Sequence, residues 1–79
     1  MPLTPSQADV LRALEESPGR TPDDIGGATS LPPGGVHWNL DRLDGLGYVE
    51  HEIVRVGDDY DGSYRLTDRG LAALRAFDR

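Results

Sequence analysis

The sequence contains no cysteine and no lysine. The first absence excludes a disulfide, a thiolate–zinc centre and a cysteine nucleophile. The second leaves arginine as the only strongly basic side chain: all 8 cationic residues are Arg, against 14 acids, 10 of them Asp, for a net charge of −6. So acidic a balance weighs against nucleic acid without excluding it. No apolar run approaches the ~20 residues needed to span a bilayer, and no charged-then-apolar leader opens the chain. A soluble, cytoplasmic protein with no membrane partner is therefore expected. Catalysis has no candidate set, because His37 and His51 fall on different elements with no carboxylate partner in the pattern. No enzyme, no catalytic residue, no metal ligand and no cofactor is expected.

What is present is Gly, Pro, Asp and Arg. A GC-rich genome favours those codons, and an acidic, lysine-free surface also suits a cytoplasm full of salt. Because the Asp excess and the missing Lys occur together, a halophilic origin is the favoured expectation. Residues 1–79 read as one domain with a thin core, since a chain this short buries only ~60% of the surface its unfolded form exposes.

The pattern predicts helix, helix, helix, strand, strand, helix. Thr4 caps the first helix, with Pro5 in its first turn and Gln7 placed to complete a capping box. Val10, Leu11 and Leu14 form its buried stripe, and Ser17-Pro18-Gly19 ends it. Thr21-Pro22-Asp23-Asp24 repeats the start signal for a short second helix, whose apolar residues are Ile25 and Ala28. Gly26-Gly27 weakens it.

The segment Leu31–Gly47, LPPGGVHWNLDRLDGLG, reads as a third helix with a hard start and a hard stop. Pro fits the first helical position, and Gly47 supplies a left-handed closing residue. Val36, Leu40 and Leu43 recur at i, i+4 and i+7 as one apolar stripe. Gly34, Trp38, Asp41, Arg42 and Gly45 fall on the opposite face, where an indole is unexpected.

Tyr48–Val56 reads as a strand, with Val49 and Ile53 on one face. Gly57–Gly62 is a cluster of turn formers, and Ser63–Leu66 is the returning strand, with Tyr64 and Leu66 pointing the same way. Thr67 caps a last helix, from Asp68 to about Phe77, with Leu71, Leu74 and Phe77 as its stripe. Asp59-Tyr60-Asp61-Gly62, with Asp68 further on, partly echoes a calcium loop but reads as a solvated turn.

This order, α-α-α-β-β-α, is that of an α+β winged helix-turn-helix: a three-helix core, a two-stranded β-hairpin wing and a C-terminal helix. Val36, Leu40, Leu43, Gly47, Tyr48 and Val49, then Tyr64, Leu66, Thr67 and Gly70, resemble the pattern of MarR-like and PadR-like regulators. The resemblance implies sequence-specific binding of double-stranded DNA in transcriptional control, with the third helix in the major groove and the hairpin on neighbouring backbone. It also implies a Ser or Thr cap on the third helix, where this chain has Pro32.

The candidate DNA-binding residues are Gly34, Gly35, His37, Trp38, Arg42, Arg55 and Arg65. Gly34 and Gly35 at a helix N-terminus let a phosphate approach free N–H groups, or form a plain loop-to-helix junction. Arg42 suits a guanine edge or a phosphate, and equally a solvated network with Asp41 or Glu50. His37 lies at the flank, as a donor or as an ordinary surface histidine. Trp38 suits a thymine methyl or deoxyribose, or lies against the second helix, or makes a protein contact. Arg55 and Arg65 back the wing as phosphate ligands. Asp41 counts against DNA, as do Asp58, Asp59 and Asp61 at the wing tip, although at 1 M salt the screening length is only ~3 Å. The alternative is a winged-helix protein–protein interaction module without DNA binding. Its partner would be another protein or a second copy of the chain, met through Trp38 and the C-terminal helix.

Overall fold

Two reciprocal capping boxes start the fold. In the computed structural model, which describes residues 3–17, 21–29, 31–57 and 59–79 and, within them, no side chains at 33, 54–56 and 59–61, helix α1 runs Pro5–Glu16 and α2 runs Pro22–Ala28. Gln7 donates its N–H to Thr4 Oγ1 at 3.2 Å, and Thr4 N–H donates to Gln7 Oε1 at 3.0 Å. Thr21 and Asp24 repeat the exchange at 3.3 and 3.5 Å. Each box satisfies donors that a bare helix start leaves open. Arg20 and residues 18 and 19 lie outside the described residues.

Helix α3 spans Pro33–Gly45, with Pro32 in the cap position and no side-chain cap. It closes on a Schellman motif. Gly47 adopts φ +77°, its N–H donates to Asp44 O at 3.0 Å, and Tyr48 N–H donates to Leu43 O at 2.9 Å.

Strands β1 (Val49–Val56) and β2 (Asp59–Leu66) pair antiparallel, from Val49 opposite Leu66 to Val56 opposite Asp59. The second strand therefore begins four residues earlier than the turn-rich composition predicts. Gly57, directly after β1, adopts φ +62°, the left-handed conformation that short hairpins demand. Asp58 itself lies outside the described residues. Gly62, which reads as a turn former, sits inside the strand opposite Ile53 for a steric reason. A Cβ there would come within 2.6 Å of His51 Nε2. The glycine makes room for an imidazole stacked on Tyr64, with centroids 4.5 Å apart and an interplanar angle of 11°. Asp59–Gly62, read as a solvated turn with a partial echo of a calcium loop, are thus strand, and Asp68 opens α4.

Helix α4 (Asp68–Phe77) starts where β1 starts. Thr67 N–H donates to Tyr48 O at 3.1 Å, and Thr67 Oγ1 donates to Gly47 O at 2.7 Å while accepting from Gly70 N–H at 3.0 Å. Gly70 is buried against that junction: a Cβ on it would lie 2.1 Å from Tyr48 O.

The core gathers between α1, α3 and α4 and the inner ends of the strands. Val10, Leu11, Leu14, Ile25, Val36, Leu40, Leu43 and Leu74 are all at most 1% exposed, so the α3 stripe read from spacing is the buried one. Two residues of the α4 stripe, and one apolar residue of α2, are less buried than the pattern suggests. Ala28 is exposed on its short helix, Leu71 is half-buried, and Phe77 at the end of α4 is 38% exposed. Ile53 shares a strand face with Val49 but is 66% exposed, because the hairpin has run past the helices by that point. Two exposed ion pairs, Arg12–Asp78 and Arg75–Glu15, join α1 to α4.

Candidate nucleic-acid interface

The outward face of α3 is built by what its stripe buries. With Val36, Leu40 and Leu43 pinned inward, Gly34, Trp38, Arg42 and Gly45 are left exposed, and Trp38 shows 54% of its surface. The first backbone bond at the start of α3 runs from Val36 N–H to Pro32 O, at 3.1 Å. With proline as cap, the amides of Gly34 and Gly35 receive no side-chain cap. A Cβ on Gly34 would meet nothing within 4 Å, and one on Gly35 would touch the Pro32 ring at 3.4 Å. Nothing in the packing therefore demands glycine at 34.

Arg42 pairs with neither Asp41 nor Glu50. Its guanidinium carbon lies over the Trp38 ring, 4.5 Å from the centroid. Trp38, for its part, is not laid against α2. It borders a groove of about 500 Å³ with Leu3, Thr4 and Gln7 at the start of α1 and with Leu46, itself 40% exposed. Asp41 lines the same groove, while Asp44 lies toward the wing. Asp41 and Asp44 both act on Tyr64, whose phenol is pushed above its ordinary value first by burial and then by those two charges.

The other candidates are dispersed. His37 is exposed on the opposite flank, beside Pro22, Asp23 and Gly26 of α2. Arg65 extends from β2 and meets Glu52 on β1 at 3.8 Å, with both side chains more than half exposed. An exposed pair this long is worth ~0–1 kcal/mol and leaves the guanidinium free to turn outward. The Arg55 side chain, like those of Asp59 and Asp61, lies outside the described residues. The structure thus brings Gly34, Gly35, Trp38 and Arg42 together on one helix and leaves His37 and Arg65 apart from them.

Asn39 was not foreseen. It is 4% exposed between the stripe and the Trp38 flank, with Nδ2 donating to Gly35 O at 2.8 Å and Oδ1 buried without a hydrogen-bond partner among the described residues. The one sequence signal was a polar residue adjoining a buried stripe, which does not distinguish a boundary residue from an enclosed one.

A MarR family model matches residues 1–59. The chain belongs to the MarR family. Solved MarR-family structures agree with the α-α-α-β-β-α order. The PcaV transcriptional regulator from Streptomyces coelicolor, in complex with its natural ligand, superposes with a TM-score of 0.85 at 30% identity, over 96% of this chain and 53% of that one. A mutant MarR from E. coli complexed with operator DNA gives 0.79 at 26% identity, over 95% and 53%. The wild-type E. coli MarR in its apo form gives 0.80 at 26%, over 95% and 55%. The chain spans about half the length of these MarR-family proteins. None of the curated proteins compared matches it. No helix among the described residues is long and apolar enough to cross a membrane.

Proposed function

We propose that this chain is the winged-helix unit of a transcriptional regulator that binds double-stranded DNA in a sequence-specific manner, with α3 in the major groove. The observation that carries the reading is the outward face of α3: two small residues at its start, then an exposed indole and a guanidinium that forms no ion pair among the described residues. The start of the helix offers amides to a phosphate, and its middle offers groups suited to base edges. Arg65, loosely held by Glu52, and Arg55 on β1 would meet flanking phosphates, and His37 would donate from the flank. The E. coli relative solved with operator DNA supports this reading.

The experiment is a titration of the chain with a randomised duplex pool, followed by selection and anisotropy measurements on the recovered duplexes. Potassium chloride would run from about 0.1 M to about 1 M, over which the screening length falls from ~10 to ~3 Å. Recovery of a defined site, bound at least tenfold more weakly by Trp38→Ala and Arg42→Ala, is expected. Unselective binding, or alanine variants that bind like the parent, would overturn the assignment.

A second reading has its own observation. Trp38 and Leu46 are exposed beside one groove on the Leu3 flank, an arrangement that also suits a protein contact. In that case a second copy of the chain or another protein docks there or on the C-terminal helix, where Phe77 is exposed. A concentration-dependent shift in Trp38 fluorescence without any response to DNA would favour it.

A further inference from the structure

We infer that Trp38 is a positioning residue for Arg42, and that the two act as one reader of a guanine in the bound duplex. This rests on the DNA-binding reading of α3 and deepens it. A helical side chain leaves its Cα toward the N-terminus, so a residue at i+4 lies back over the one at i. Arg42 sits in the last turn of α3, yet its guanidinium carbon is held 4.5 Å from the Trp38 centroid, one turn closer to the helix start. Base edges are met by the N-terminal part of a recognition helix. The stack therefore carries the charge from the end of the helix to where a base edge would be.

In a chain of net charge −6, Arg12, Arg65 and Arg75 each have a carboxylate partner, while Arg42, Arg69 and Arg79 form no ion pair among the described residues. Arg42 has Asp41 beside it in sequence and makes no ion pair among the described residues; it covers an indole instead. A guanidinium carbon 4.5 Å from the centroid is within cation–π range, and a guanidinium lying parallel to an indole gives up one face and none of its N–H edge. The fork stays free to donate in the plane, with much of its rotational freedom already removed. A planar pair of donors fits the O6 and N7 acceptors of guanine, and no other base presents two acceptors side by side in the major groove. An ammonium cannot replace it, since Lys lacks the plane that stacks and the fork that reads.

The test uses the full chain and duplexes recovered from a randomised pool. Each guanine is replaced in turn by 7-deazaguanine, which keeps O6 and removes the N7 acceptor. Affinities are compared for the parent, Trp38→Ala, Trp38→Phe, Arg42→Ala and Arg42→Lys, with thermal melts showing that each variant is folded. One guanine at a fixed position should be recovered, and its 7-deaza form should bind the parent at least about fivefold more weakly. Trp38→Ala and Arg42→Lys should bind both duplexes equally, while Trp38→Phe, which retains a π face, should recover part of the discrimination. If Trp38→Ala weakens binding but keeps the full 7-deaza penalty, the positioning role is wrong. A recovered site without a required guanine overturns this inference and leaves the DNA-binding reading standing. Failure to recover any duplex overturns both.

Discussion

Replacing Gly70 by Ala tests whether the first turn of α4 rests on the backbone where α3 meets β1. An added Cβ would stand 2.1 Å from Tyr48 O and 2.8 Å from Leu66 Cδ1. The leucine can turn away, but the carbonyl cannot. Restoring an ordinary C···O separation of ~3.3 Å requires the helix to retreat by about 1.2 Å. That distance breaks the bond from Thr67 N–H to Tyr48 O, now 3.1 Å, and stretches the one from Thr67 Oγ1 to Gly47 O, now 2.7 Å. Two hydrogen bonds at ~0.5–1.5 kcal/mol each put the loss at ~1–3 kcal/mol. Direct accounting as an overpacked site gives the same range. Alanine's better helix propensity returns at most ~1 kcal/mol, because the position is near the helix start. A net loss of about 1–2 kcal/mol should lower the Tm by roughly 4–16 °C in a domain this small. Circular dichroism melts and urea titrations read it, with Gly27→Ala as the control. A Cβ at Gly27 meets nothing within 4 Å, so propensity alone should raise stability by ~0.5–1 kcal/mol. Were Gly70→Ala to melt with the control or above it, α4 would not dock as described.

Thr67→Ala removes one acceptor and one donor at the same junction and should cost ~1–2 kcal/mol in urea titration, as a lost cap does. Asn39→Leu removes a buried oxygen that lacks a partner among the described residues, while Gly35 O keeps its own helical bond. It should raise stability by ~1 kcal/mol in the same assay, and a loss instead would mean that the amide meets a partner in solution. The phenol of Tyr64 titrates above its ordinary 10.0 in the folded chain, mainly through burial and secondarily through Asp41 and Asp44. Below pH 10 it is neutral folded or unfolded, and its contribution is fully present. Above that, the unfolded chain loses the proton first, so stability should decline as pH rises through the higher folded value, and Tyr64→Phe should flatten that decline. Gly34→Ala should stabilise α3 by ~0.5–1 kcal/mol, since the added methyl meets open space, while weakening duplex binding if a phosphate approaches that amide.

The elements most legible in the sequence are those that local chemistry decides. Thr4 with Gln7 and Thr21 with Asp24 are complete capping boxes within four residues, and both form. The spacing of Val36, Leu40 and Leu43 fixes which face of α3 turns inward, and so which face carries Trp38 and Arg42. Gly47 is left-handed, as a helix-closing glycine should be. What stayed hidden depends on partners far along the chain. Gly62 resembles a turn former until the register sets it beside His51, and the His51–Tyr64 stack exists only in that register. Ile53 alternates correctly yet emerges into solvent, because alternation does not say where the helices beneath a strand end. Of the candidate site, the spacing of Trp38 and Arg42 was visible. That the guanidinium chooses the ring over Asp41 is a matter of rotamers, on which spacing is silent.

The threonine that clasps Gly47 and Tyr48 has a mechanical consequence. Both feet of the hairpin are tied to the end of α3 itself, one through Tyr48 N–H on Leu43 O and the other through Thr67. The ribbon is therefore a lever hinged on the helix, with an arm of eight residues on each strand, or ~26 Å at strand rise. A tilt of a few degrees at the hinge sweeps the tip sideways by about 2 Å, so a small rotation of α3 is magnified at the far end. Lengthening the hairpin by paired residues would change its reach and leave the hinge as it is.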